Sequence, residues 1–246
     1  MAGQSYFIWQ GVDCRAMGIR LSGPVAIVWP EERVEHIQIP GMSGDLTSLE
    51  GEEVYNSYIQ TANIQVFGWN RCRMAKRWLR GSGYVTFSGE PDRKQAARVI
   101  GAVTLNRHSK NLDVWEGEVQ FYCQPLKEKV LTTSPVLTSA GSVRNYGDVT
   151  CYPVWRVTAS GTTVVLNDGA TTGEGYSRIE AITLTGVTSG HVYRIDSEAQ
   201  EVYDQTVEQM VTVKSSGTFP TMLPGNNYIG GSGWSRVEID RRERYL

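Results

Sequence analysis

The sequence predicts a mainly β protein of two domains with a single helix, and three observations carry that reading. Apolar and polar residues alternate with a period of two through most of the chain, one short stretch alone has helical spacing, and the composition changes near residue 130. With 246 residues, the chain has room for one large β domain or two of about 120 residues each. A chain of that size buries roughly 70% of its unfolded surface, so its core needs no metal or disulfide.

Met17–Leu21 and Val25–Val28 read as short strands. Tyr58–Phe67 sets Tyr58, Ala62, Ile64 and Val66 on an apolar side. Arg71–Arg80 breaks the pattern: Met74 with Trp78 and Ala75 with Leu79 are spaced i,i+4 among good helix formers. Gly81 follows as the expected C-cap, with basic residues in the last turn. This helix should rest on a sheet through Trp78 and Leu79, burial of the tryptophan contributing about 2–3 kcal/mol. Tyr84–Phe87 and Arg98–Leu105 return to strand. In Leu112–Cys123, Trp115, Gly117, Val119 and Phe121 share one face, with Glu116, Glu118 and Gln120 on the wet one.

Lys127–Lys129 is charged and the residues after it are rich in Ser, Thr and Gly, which places a linker near residues 127–135 and divides the chain into domains 1–129 and 130–246. The strands expected beyond it are Val154–Ala159, Thr162–Asn167, Ile179–Leu184, Val192–Ile195, Val207–Val213 and Arg236–Asp240. Asp168-Gly169 is a hairpin cue. Turn signals every 10–15 residues or so suggest a β-sandwich for this half.

The chemistry expected of an enzyme is missing from the sequence patterns. There is no phosphate-binding loop, no HExxH, no CxxC pair and no GxSxG. Gly186–Gly190 imitates a nucleophile elbow with Thr188 in the nucleophile position, but no helix is expected to follow, and a plain turn accounts for it. His36, His108 and His191 are isolated. Glu116 and Glu118 lie on one strand face about 6.5–7 Å apart, compatible with a glycosidase pair, although Glu-x-Glu on a wet face is more often solvated charge. Asp196 and Glu198 are similar. Arg73, Lys76, Arg77 and Arg80 form a basic helix face, which is solvated, paired with acidic residues of a neighbouring subunit, or in local contact with phosphate. Tyr55, Tyr58, Tyr228, Trp234 and Tyr245 are candidate exposed aromatics for sugar stacking, though such residues also anchor cores and interfaces.

A net charge of −2, from 24 basic and 26 acidic residues, argues against a chain whose main business is binding nucleic acid through bulk charge. Cys14, Cys72, Cys123 and Cys151 read as reduced, buried thiols of a protein made in a reducing cytoplasm. No secretory leader, glycosylation acceptor or membrane-spanning run is expected.

Several motifs, in order, resemble the distal tail proteins of siphophages. Phe7–Asp13 is followed by Met17-Gly18-Ile19, then by Ile39–Leu46, similar to the family's IPG-x-x-G-x-L loop. Trp78–Phe87 and Gly89–Asp92 match its helix, tight turn, strand and acidic turn. In the second half, Asn145-Tyr-Gly147 with Tyr152–Val157, Ile195–Glu198 with Val202-Tyr203, and Phe219–Asn226 with Tyr228-Ile229 and Val237–Ile239 follow the family's order. Met42-Ser43 departs from it, standing where the family often has a basic residue and Asn.

The resemblance implies an N-terminal β-barrel or split-barrel-like domain with one helix, followed by a galectin-like C-terminal β-sandwich, with no enzymatic activity and no cofactor. It implies a homo-oligomeric hexameric ring, single or stacked, joining the major tail tube protein to the tail-tip hub or fibre protein. DNA would pass through its channel in transit, the second domain would carry receptor-binding proteins in some phages, and nothing would insert in a membrane. The chain would reside in the virion tail tip after synthesis in the host bacterial cytoplasm. The loop holding Gly41, Met42, Ser43, Gly44 and Asp45, part of a long polar stretch to Glu53, is the candidate subunit contact. A carbohydrate-binding sandwich is the alternative, and a glycoside hydrolase using Glu116 and Glu118 a distant third.

Overall fold

A computed structural model describes residues 5–38, 40, 43, 45–49, 53–108, 112–171, 177–207 and 213–246. Contacts divide the chain between Val130 and Leu131, with Leu246 grouped with the first unit.

The first unit contains β1 (Phe7–Trp9), β2 (Val12–Asp13), β3 (Ile19–Leu21), β4 (Val34–Gln38), β5 (Asp45–Leu49) and β6 (Tyr58–Phe67). Helix α1 (Trp69–Trp78) follows, then β7 (Ser82–Phe87), β8 (Arg93–Ile100), β9 (Leu105–Arg107) and β10 (Val114–Lys129). A curled antiparallel sheet runs β2-β1-β7-β8-β10-β6-β3, with β9 also on β10. Its spine is the pairing of β10 with β6, from Val114 opposite Phe67 to Cys123 opposite Tyr58. That register puts Val119, Phe121 and Cys123 beside Ala62, Ile64 and Val66 on one buried face, joined by Phe7, Trp9 and Ile19.

The helix covers this core with Cys72, Ala75 and Leu79. Trp78 stacks on Phe7, ring centroids 5.8 Å apart. Gly68 precedes the helix and offers no side-chain cap. Asp113 supplies one from across the fold, its Oδ2 accepting the Trp69 N–H at 3.1 Å. The helix ends at Leu79, earlier than Gly81, because the buried Leu79 leaves helical geometry while its N–H still reaches the Ala75 carbonyl. Gly81 serves the following turn with φ +78°. Met74 does not pair inward with Trp78; it is exposed.

The second unit holds β11 (Val136–Leu137), β12 (Gly141–Asn145), β13 (Val154–Ala159), β14 (Thr163–Thr171), β15 (Ser177–Thr185) and β16 (Val192–Asp196). It continues with β17 (Glu201–Asp204), β18 (Lys214–Gly217), β19 (Gly225–Ser232), β20 (Trp234–Asp240) and β21 (Arg244–Tyr245). Sheets β11-β20-β13-β16-β17 and β12-β19-β14-β15-β18 share one core, in which Trp155, Ile195 and Ile239 from the first join Leu166, Ile182 and Ile229 from the second. Trp155 Nε1 donates to Ser197 Oγ at 3.0 Å, and that hydroxyl donates to the Pro220 carbonyl, so the buried indole is satisfied. The expected mainly β architecture, split-barrel-like with one helix and then galectin-like, is the one observed.

Several element expectations need correction. Val25–Val28 is not a strand: it has no ladder partner, and Ile27 is exposed. Arg98–Leu105 is broken at Gly101, where φ is +68°, so β8 ends at Ile100 and β9 resumes at Leu105. The charged Lys127–Lys129 opens no linker but completes β10, opposite Gln95, Lys94 and Arg93. Asp168-Gly169 is no hairpin turn; it lies inside β14, paired on both edges with β15 and β19, and ladder pairing outweighs the local turn preference. Val207 lies in a turn and Val213 just outside β18, so neither belongs to a strand, and residues 208–212 lie outside the described residues. The polar stretch after Gly41 is not all loop, since Asp45–Leu49 pairs with β4 as an antiparallel hairpin.

Candidate functional site

The outward face of α1 and its end is strongly basic. Arg73, Lys76, Arg77 and Arg80 are exposed, and among the described residues none forms an ion pair. No acidic residue stands in the first turn of α1. The basic strip continues where sequence reasoning did not look. Arg71 lies over Gly18 and shares with Arg15, Arg20 and Phe67 the wall of a cavity of about 280 Å³. Within it Arg15 is bound to Asp13, holding that carboxyl below the usual aspartate range, and Arg20 lies over the Phe67 ring at 5.1 Å. These arginines come from β3, its preceding turn and α1, so only the fold brings them together.

The candidate contact loop is only partly visible. Gly41, Met42 and Gly44 lie outside the described residues, Ser43 is an exposed bend, and Asp45 opens β5.

The paired carboxylates sit on the wet face of β10 as expected, beside a polar cavity of about 740 Å³ walled also by Asn63, Asn106 and Arg107. Glu116 does not supply the carboxyl that must hold its proton near neutrality in glycoside hydrolysis. His108 Nδ1 at 2.9 Å and the Gln65 amide at 2.7 Å instead hold the Glu116 carboxyl below its usual value. Glu118 accepts from Gln120 Nε2 at 2.6 Å.

In the second unit Thr188 sits in a turn, its N–H donating to the Tyr193 hydroxyl at 2.9 Å and its carbonyl accepting the His191 N–H. His191 Nδ1 lies 2.6 Å from the buried Asp204 carboxylate. Burial alone would raise Asp204, but the bonds to His191 and Thr206 leave it lowered. Asp196 is held likewise. Burial opposes its charge, yet the Ala199 N–H and the guanidinium groups of Arg242 and Arg194 keep it below the normal range. Glu198 receives Arg242 and Arg244. Asp196 and Glu198 are thus partners of arginines.

The aromatic expectation fails in most places. Tyr228 is exposed, but Tyr245 is buried with its hydroxyl on Glu243, and Trp234 packs against the core. Tyr55 is half-buried in a bridge with Glu32. Tyr58 is half-buried and exchanges hydrogen bonds with Gln95, burial pushing its hydroxyl up to about 12. The four cysteines are free buried thiols, Cys123 and Cys151 raised to about 12 by burial. Among the described residues no group of three His, Cys, Asp or Glu side chains is placed to hold a metal ion, and no helix is long and apolar enough to cross a membrane.

The fold and these surfaces define a two-unit, mainly β chain. No family model matches it, and no curated protein matches it in sequence. It is similar in structure to SPP1 Dit (gp 19.1), described as a paradigm of the hub adsorption apparatus in phages infecting Gram-positive hosts. The TM-score is 0.74 at 16% identity, over 99% of this chain and 100% of that one. Chains of the phage P2 baseplate in its activated conformation, with Ca and with Sr, align at TM-scores of 0.46 and 0.42 with 8% identity. They span 99% and 96% of this chain, and 98% and 96% of their own. At those scores they carry no argument.

Proposed function

We propose that this chain is a structural distal tail protein of a long-tailed phage, a virion component that forms a hexameric ring at the tail tip. The observation that supports it best is the end-to-end structural likeness to SPP1 Dit, which leaves neither chain with an unmatched domain. In this reading the first unit assembles the ring, between the tail tube protein and the tail-tip hub or fibre protein, and leaves a channel for DNA. The second unit faces outward, where receptor-binding proteins attach. The chain has no enzymatic task, and its buried thiols suit synthesis in a reducing host cytoplasm. A ring needs head-to-tail contacts that close on themselves, each burying at least about 1,000 Å².

The carbohydrate-binding reading is the weaker one, because four of the five aromatic residues singled out for it, all but Tyr228, are buried or half-buried. Light scattering on the full-length chain tests the proposal. A discrete particle of about six chain masses is expected, and a monomer at every micromolar concentration would count against it.

A further inference from the structure

The first unit sorts its charges by sign along the chain. Between Val54 and Gly89 there is no acidic residue, while Arg71, Arg73, Lys76, Arg77 and Arg80 crowd α1 and its end. Just before that stretch stand Glu31, Glu32, Glu35, Asp45, Glu50, Glu52 and Glu53, against Arg33 alone. Glu31, Glu32 and Glu35 are exposed and, among the described residues, form no ion pair, as holds for Arg73, Lys76, Arg77 and Arg80. Elsewhere the chain pairs its charges readily, as at Lys127 with Glu90 (2.7 Å) and Arg93 with Glu90 (3.1 Å).

Both patches also carry apolar surface that a lone domain has no reason to show. Trp29 is 78% exposed and Ile27 56%, flanking the glutamates, and Ile37 is 41% exposed on β4. On α1, Met74 is 53% exposed among the cations, and Trp69 at its start is 55% exposed. Moreover, β4 and β5 form a separate two-stranded sheet, and no residue of β4 belongs to the core. A two-stranded hairpin on its own is marginal in water. Its base is tied by the Arg33 N–H to the Val54 carbonyl and by the bridge of Glu32 with Tyr55.

We propose that the acidic segment Trp29–Glu35 docks on the cationic outer face of α1 in a second copy of this chain. Exposed tryptophan and methionine form the apolar centre, and the glutamates and arginines form a charged rim. A nucleic acid would match α1 but leave the acidic arm unexplained. A second copy matches both patches at once. One chain bearing two complementary patches on different elements makes a heterologous contact, the kind that propagates head to tail and closes into a ring. The inference rests on the ring reading and names the surfaces that hold it.

The test is charge reversal followed by mixing, read by native mass spectrometry of full-length protein. R73E/K76E/R77E inverts the helix face, and E31K/E32K/E35K inverts the arm. Each alone should weaken assembly at least about ten-fold, because like charges then face each other. Circular dichroism should show both folded as the parent is. Mixed in equal amounts, the two variants should assemble again as alternating particles, since each arm now finds an opposite helix only in the other variant. Raising salt to about 0.5 M should weaken the parent assembly, as exposed pairs are screened within several ångströms. If either variant assembles like the parent, or if mixing restores nothing, the docking is wrong and the ring stands. If the parent chain itself stays monomeric, the ring reading falls and this inference with it.

Discussion

Two regions of the molecule, one in the first unit and one in the second, treat charge in opposite ways. In the second, Asp196 is buried and takes hydrogen bonds from Arg194, Arg242 and two backbone N–H groups, while Glu198 links Arg242 to Arg244. In the first, the cations of α1 and the glutamates before β4 are exposed and unpaired among the described residues. Charges satisfied within a chain hold its own fold, and removing one partner leaves a costly orphan. Charges left facing water contribute little to the fold, and their free energy is available to a partner.

The largest effect should follow from breaking the closed network. Asp196→Ala leaves two guanidinium groups and two N–H groups without their acceptor and should destabilise by about 3–5 kcal/mol. Thermal melting of the full chain checks this, and Asp196→Asn, which keeps an acceptor, should cost less. Next comes the inner face of α1, where Leu79→Ala should cost about 2–4 kcal/mol through the cavity left beside the core.

A smaller effect should appear as pH falls. Asp196 and Asp204 are depressed in the fold. The stability they contribute is fully present above the unfolded aspartate value, about 3.9, and is lost as pH falls through their lower folded values. Melting scans from pH 6 to pH 2 should therefore show a steeper acid loss in the parent than in Asp196→Asn/Asp204→Asn. Equal slopes would remove these two carboxyls from the account. The smallest effect is expected on the outer face of α1. Arg73→Ala/Arg77→Ala should leave melting of the unassembled chain unchanged to within about 0.5 kcal/mol. A large drop there would erase the contrast between the two regions.

Much of the fold was legible because half-buried strands write their pairing as alternation. Tyr58–Phe67 and Val154–Ala159 coincide with β6 and β13 to the residue. What misled was local chemistry overruled at a distance. Asp168-Gly169 has the composition of a turn, but ladders on both edges keep it in strand. Val25–Val28 has the composition of a strand and finds no neighbour. Of the candidate surfaces, the basic face of α1 could be read from helical spacing. The cluster of Arg15, Arg20 and Arg71 could not, since it is assembled by β3 packing near the start of α1. Nor could the burial of Tyr245, or the hold of His108 on Glu116.

The central claim, that this chain is the ring of a phage tail tip, is tested most directly by electron microscopy of the purified full-length protein. The account predicts six-fold rings with an open centre, the second unit at the periphery. Well-dispersed particles with no rotational symmetry at any concentration would contradict it.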